Sequence, residues 1–403
     1  MAIVPSKRVQ KLGTYAFAEL DAIVARLRAS GVDPIDFGVG DPTVPTPPII
    51  RAACVRAIEE RRASGYPSYR GGEAFRTAAA RWMERRFGLS IDPDTEITAT
   101  IGSKEAVFNV HEGFVDGGDV VISPTPGYPP YARGATFAEG RNYFYPLCES
   151  NEFLPDLDSI PTDVARKAKI FWICQPFVPT GKVIPGRRLD AIAAFCRHHD
   201  LLLCSDEAYS EIWFDRRPQS VLEHTRRGVL AFFSLSKRSA MTGYRCGWVA
   251  GDRDAIEVFQ KVKTNIDSGT PSFIQDAAAV ALGDEAHVEA LRADYGSKRD
   301  ILVKALTKAG FPECAPEAGL FVWQKTPEGL SDLEVARRLL EPDQALIVSP
   351  GSWLAEPAGI SERGAHGGGD ADRYVRLALV PPIDRILEAS ERLSRLRFRA
   401  ASA

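Results

Sequence analysis

Ser234-Leu235-Ser236-Lys237-Arg238-Ser239-Ala240-Met241-Thr242-Gly243-Tyr244-Arg245 sets a lysine, several hydroxyls and an arginine directly after the apolar run 229–233. That run shows no alternation, as expected for a strand of a parallel sheet covered on both faces. In such sheets ligands sit beyond the carboxyl ends of the strands. A lysine held there in a poorly solvated crevice loses part of its ammonium character and can condense with a carbonyl cofactor. Ser234, Ser236 and Arg245 suit a phosphate beside it, the arginine as a two-pronged donor. From these residues alone, a Ser-Lys-Arg turn on the surface is an equally good description.

Working outward, strand and helix signals alternate from Thr95 to Ala250, which argues for a doubly wound α/β sheet. The run 97–101 leads into Gly102-Ser103-Lys104-Glu105 and a helix over 106–114. A glycine turn at a helix N-terminus offers free N–H groups and a positive dipole end to an anion. Residues 120–123 precede Pro124-Thr125-Pro126-Gly127-Tyr128. A strand over 142–147 follows, and 169–174 runs into Gln175-Pro176-Phe177-Val178-Pro179-Thr180-Gly181. After a helix over 188–198, the strand 201–204 delivers Ser205-Asp206-Glu207-Ala208-Tyr209. Residues 229–233 and 247–250 close the series.

The flanking regions differ in character. Helical spacing covers 16–28, 49–61 and 73–87. Between the first two, 35–47 is rich in glycine and proline, which permits close backbone approach to a ligand and forbids a helix. Past Asp252 come helices over 255–263, 275–282 and 286–309, then candidate strands at 321–324, 345–349 and 374–380. The glycines of the loop 356–372 predict the most flexible stretch inside a domain.

Composition removes several classes. At 403 residues and 45% hydrophobic content the chain exceeds what one core usually serves, so two domains are expected. A net charge of −3 gives no basic field for nucleic acid. No apolar run reaches the length of a membrane span, and the first ten residues lack the apolar segment of a secretory signal. The seven cysteines are scattered without a Cys-x-x-Cys pair, as in reduced thiols of a cytoplasmic protein. His198-His199 and His366 lack the spacing of a metal site.

Several strand ends thus carry a polar residue with an evident use, and together they resemble the class I/II aminotransferases of fold type I. The resemblance runs from Gly40-Asp41-Pro42 to Arg376. It implies an α/β fold with a mainly parallel doubly wound sheet in a large domain and a smaller α+β domain. The expected division is 1–45 as N-terminal arm and part of the small domain, 46–285 as the large cofactor-binding domain, and 286–403 as the C-terminal small domain. It also implies pyridoxal 5′-phosphate as cofactor. Lys237 would hold it covalently and then move the proton at the substrate Cα. Asp206 would pair with the ring nitrogen and keep it protonated; taken by itself, Asp206 reads as a helix N-cap. Tyr209 would donate to the phenolic oxygen and Tyr128 would stack on the ring. Ser103, Lys104, Ser234, Ser236 and Arg245 would surround the phosphate, joined by Tyr66 from a neighbouring subunit, so a homodimer with shared sites is expected. Arg376 would take the substrate α-carboxylate as a fork, helped by the backbone at Gly40. Without the family, Arg376 reads as a solvated strand arginine.

One motif departs from the family. Its Asn-Pro-x-Asn-Pro-Thr-Gly stands here with Gln175 first and Val178 at the second asparagine, which normally donates to the phenolic oxygen. Valine cannot donate, so a less stabilised phenolate is expected, or different chemistry such as an oxidase or lyase on the same scaffold. Among substrates, the nearest resemblance is to LL-diaminopimelate and N-succinyl-LL-diaminopimelate aminotransferases of lysine biosynthesis, carried by 15–19, 66–69, 101–105, 153–158 and 265–269. Plant-type relatives present a partner glutamate to the distal ammonium at the position that is Tyr69 here. A tyrosine cannot neutralise an ammonium, which favours an acylated or different amino acid. Tyr15 would line the substrate pocket. The expected reaction is transamination with glutamate and 2-oxoglutarate as the nitrogen couple. A non-transaminating cofactor enzyme and a catalytically silent effector-binding relative are the alternatives.

Overall fold

The computed structural model of the chain describes residues 3–11, 18–314, 316–356, 359–361 and 369–398. Tyr15, His366 and most of the glycine loop lie outside them. Among the described residues the central sheet has eight strands, in the order Gly359–Ser361, Arg141–Pro146, Val120–Thr125, Ala168–Cys174, Leu202–Asp206, Val229–Ser234, Gly247–Gly251, Ile97–Thr100. From Arg141–Pro146 to Val229–Ser234 the pairing is parallel. Gly247–Gly251 runs antiparallel to both of its neighbours. The connection 235–246 holds only the single turns Leu235–Arg238 and Thr242–Tyr244 and no helix long enough to cross the sheet, so the chain turns back, and the turn is the Lys237 to Arg245 stretch. Apolar patterning does not register this reversal, because a strand buried on both faces looks the same in either direction.

Side chains along each strand alternate between two cores. Phe171, Ile173, Leu203, Ala231, Phe233 and Trp248 face Trp82, Met83, Leu189, Ile192 and Ala281. Their immediate neighbours Ile170, Trp172, Cys204, Leu230, Phe232 and Val249 face Ala106, Val110, Ile256 and Phe259. Each large apolar side chain so covered contributes about 1.5–3 kcal/mol relative to exposure. That burial holds the strand ends rigid enough to present polar groups.

A further core joins Ile35 and Phe37 to residues from the second half of the chain, including Tyr295, Leu302, Phe321, Val335, Val375, Leu377 and Ile386. Its sheet sets Tyr374–Ala378 antiparallel between Ser349–Pro350 and Phe321–Lys325. Ile35–Asp36 pairs in parallel with Leu346–Ile347. Helices Ala286–Lys308 and Ile383–Ser394 pack on it. Val178 packs against both this core and the sheet core. Gly38 lies beside Ile347 and Ser349 of this smaller core's sheets, and Gly40 beside Phe321.

Candidate active site

Lys237 follows the strand Val229–Ser234 in the single turn Leu235–Arg238, whose N-cap Ser234 accepts from the Ser236 N–H. Its Nζ donates to the carbonyl oxygen of Gly40 at 2.5 Å. Burial brings the ammonium down to about 8, opposed by Asp41 and reinforced by Arg245. Arg376 reaches the same short segment from the other side. Its Nη2 donates to Gly38 O at 2.7 Å and to Ser349 Oγ at 3.1 Å, and its guanidinium lies 4.6 Å from the centre of the Phe321 ring. The Arg376 Nε is buried without a partner. Burial lowers this guanidinium to about 10. An orphaned donor of this kind costs free energy unless an acceptor arrives, and a carboxylate presenting two oxygens fits it. Gly40 is required here: a Cβ would meet the Phe321 ring at 2.5 Å.

Asp206 ends the strand Leu202–Asp206 and is buried. Its Oδ1 accepts from the Ala208 N–H at 3.2 Å and its Oδ2 from the Tyr131 hydroxyl at 2.9 Å. No helix follows, so the N-cap description of Asp206 fails: a turn follows instead. Burial raises its carboxyl to about 6, against the two donors. Tyr209 lies in that turn and is half-buried, its ring 6.0 Å from that of Phe321. Burial first, then the Asp206 charge, pushes its hydroxyl well up. Tyr128 is the N-cap residue of the helix Pro129–Phe137, and burial with Asp206 raises it to about 12.

The anion end is built from three elements. Gly102, at φ 69°, is the N-cap of the helix Ser103–Phe114, which starts earlier than the sequence pattern predicts. A Cβ on Gly102 would lie 2.2 Å from Arg245 Nη2. Arg245 Nη1 reaches Ser236 Oγ at 3.5 Å. The free N–H groups of the first helical turn, the guanidinium and the serine hydroxyls therefore share one glycine-opened cradle, which suits a phosphate. Ser103 is half-buried there; Lys104 is exposed. The residues present fit pyridoxal 5′-phosphate: an amine of depressed pKa, a buried carboxylate, an anion cradle and an unpaired arginine donor.

Not every expected residue joins this group. Tyr66 is 92% exposed and Tyr69 is 45% exposed. Tyr66 lines an open depression with Arg61, Pro67, Gly269 and Pro271. Tyr15 lies outside the described residues. Val178 is half-buried at the seam of two cores and brings no donor. Sequence reasoning missed Tyr131, Phe321, Ser349 and Gly38. Tyr131 had a signal, since Pro129 marks a helix start and helical spacing then puts Tyr131 on the face it shares with Tyr128; their rings meet edge to face at 5.8 Å. All seven cysteines are free, and no group of metal ligands occurs among the described residues.

A family model for aminotransferase class I and II matches residues 32–360. An LL-diaminopimelate aminotransferase 2 of Trichormus variabilis is 42% identical over 393 residues, covering 96% of this chain and 97% of that protein. Among solved structures, substrate-bound BacF of Bacillus subtilis superposes with a TM-score of 0.89 at 28% identity, covering all of both chains. The Thermus thermophilus protein named "probable N-succinyldiaminopimelate aminotransferase" does so with a TM-score of 0.84 at 28% identity, over 94% of this chain and 99% of that one. With a family model matched over residues 32–360 and a relative 42% identical across 96% of this chain, the chain belongs to the class I and II aminotransferases, enzymes that use pyridoxal 5′-phosphate.

Proposed function

We propose that the protein moves the amino group of a diaminopimelate-type amino acid, N-succinyl-LL-diaminopimelate or LL-diaminopimelate, to 2-oxoglutarate, in lysine biosynthesis. One observation carries the placement of the substrate. Lys237 Nζ and Arg376 Nη2 both donate to the backbone of Gly38–Gly40, at 2.5 Å and 2.7 Å. An amino acid with its carboxylate on Arg376 has its Cα toward the Lys237 amine. When bound, the cofactor supplies the carbonyl that takes up the amino group and the charged ring that accepts the electron pair released at Cα. Arg376 fixes the carboxylate, with Nε and Nη groups forming the fork. Lys237, freed from Gly40 O, takes the Cα proton and returns it. Asp206 holds positive charge on the ring nitrogen. Ser234, Ser236, Ser103, Lys104 and Arg245 anchor the phosphate, and Tyr128 and Tyr209 flank the ring.

The diaminopimelate assignment is supported by the names of the relatives at about 40% identity. Tyr69 in place of a carboxylate favours the acylated form over the free diamine. A homodimer is supported by Ile49, Val55 and Ile58, exposed on the one helix Pro48–Glu60, and by the exposed Tyr66 and Tyr69; Tyr66 would then complete the partner's phosphate site. Seven free thiols suit a reducing cytoplasm. No helix among the described residues is long and apolar enough to cross a membrane.

The holoenzyme offered LL-diaminopimelate, N-succinyl-LL-diaminopimelate and other amino acids with 2-oxoglutarate is expected to form glutamate, fastest from the succinylated donor. Absence of glutamate from every donor overturns the proposal. Oxygen consumption with peroxide, or elimination without glutamate, favours an oxidase or lyase, the chemistry that Val178 in place of an asparagine would then explain.

A further inference from the structure

Behind Asp206 stands a column of buried side chains that the proposed function does not use. The Tyr131 hydroxyl donates to Asp206 Oδ2 at 2.9 Å, and its ring stacks on Trp172 with centroids 4.6 Å apart and planes at 16°. Trp172 Nε1 donates to His111 Nε2 at 3.1 Å, and His111 Nδ1 lies 2.9 Å from Phe108 O. An indole N–H can only donate and a carbonyl can only accept. His111 is thereby fixed as the neutral tautomer with its proton on Nδ1. Burial holds it there, lowering its pKa to about 4. All three side chains are at most 1% exposed. Gly134 closes the far end, where a Cβ would meet His111 Nδ1 at 2.2 Å and Phe108 O at 2.8 Å. The column therefore has no slack along its length.

Its near end meets the one carboxylate whose charge the chemistry needs. Groups facing Asp206 are Tyr131 and Tyr128 from the helix region, Cys174 from the adjacent strand, and Tyr209 from the following turn. None of them is a cation, so burial favours the protonated acid. Only a donor hydrogen bond opposes this, and beyond the Ala208 N–H the Tyr131 hydroxyl is the one that reaches Oδ2. We propose that Tyr131, clamped by Trp172 and His111, is a positioning residue: it holds the Asp206 carboxylate as an anion aimed into the site, and so sets the charge on the cofactor ring. The inference rests on the proposed function above, in which Asp206 meets the ring nitrogen.

Tyr131→Phe keeps the ring and its stacking and removes only the hydroxyl. A hydrogen bond to a charged group carries a roughly ten-fold or larger effect. The variant is expected to bind pyridoxal 5′-phosphate about ten-fold more weakly and to lower kcat with little change in KM. With less positive charge held at the ring nitrogen, the pH midpoint of the bound cofactor's visible absorbance is expected to move upward. Trp172→Phe, which keeps the hydroxyl but removes the link to His111, is expected to shift the midpoint the same way by less, and it serves if Tyr131→Phe does not fold. Unchanged cofactor affinity and midpoint in Tyr131→Phe, or an unchanged midpoint in Trp172→Phe if only that variant folds, overturns the inference. A wild-type protein that takes up no cofactor overturns instead the proposed function on which it rests.

Discussion

Lys237 Nζ donates to the carbonyl oxygen of Gly40 at 2.5 Å although 197 positions separate the two in sequence. The contact ties the end of a strand in the large sheet to the segment that also supports Arg376. It places the Lys237 amine where burial depresses its pKa to about 8. The neutral amine is the form that attacks a carbonyl. The rate at which cofactor-free protein takes up pyridoxal 5′-phosphate, followed by stopped-flow absorbance, is therefore expected to rise with pH through a midpoint of about 8. A rate that stays low until the ordinary lysine range contradicts the assignment.

Arg376→Lys keeps the charge and loses the fork. Lysine presents a point charge and cannot place two coplanar donors on a carboxylate. The KM for the amino acid is expected to rise about ten- to a hundred-fold, the range of one hydrogen bond to a charged group. Steady-state kinetics with cofactor saturating is the check.

Gly102→Ala fails twice over. The backbone is at φ 69°, and the new methyl would sit 2.2 Å from Arg245 Nη2. With ψ at 165° this backbone lies in a region essentially reserved for glycine, which costs another residue on the order of 1–3 kcal/mol, and relieving the clash moves the guanidinium out of the anion cradle. Cofactor affinity, measured by equilibrium dialysis, is expected to fall at least about ten-fold while the rest of the fold is retained.

Glu207 gives a test of stability against pH. Its Oε1 accepts from Ser205 Oγ, Ser220 Oγ and the Val221 N–H, while Oε2 is buried without a partner. Burial raises its carboxyl from 4.5 to about 7. A folded-state pKa above the unfolded one means that the contribution is full below 4.5 and is lost as pH rises to about 7, on the order of 3 kcal/mol. Asp206 and Glu356 act in the same direction, with values of about 6 and about 7. His111 acts oppositely, its contribution lost as pH falls from 6.5 toward about 4. Comparing cofactor-free wild type with Glu207→Gln by urea unfolding isolates the one group. The loss of stability on going from acid to neutral pH is expected to be smaller in the variant by on the order of 3 kcal/mol; an equal loss in both contradicts the account.

Strand ends were legible in the sequence because each couples an apolar run to a single polar residue: Ser234 through Lys237, Asp206, Gly102. Periodicity found the helix Glu73–Phe87 to the residue, and Gly88 at φ 71° ends it as a left-handed C-cap does. The helix Ile383–Ser394 was missed although Pro382 precedes it, because it follows a candidate strand with no polar break. What stayed hidden was partnership at long range. Nothing local says that Arg376 meets Gly38, or that Tyr131 meets Asp206, because those contacts are made by packing separate cores together. The reversal of Gly247–Gly251 was hidden as well, because a strand buried on both faces has the same apolar pattern in either direction.

The most direct measurement is borohydride reduction of the protein with pyridoxal 5′-phosphate, followed by mass mapping of its peptides. A stable pyridoxyl group on Lys237, absent from Lys237→Ala, is the expected result. A protein that takes up no label, or that carries it on another lysine while Lys237 stays unmodified, contradicts the assignment of this site.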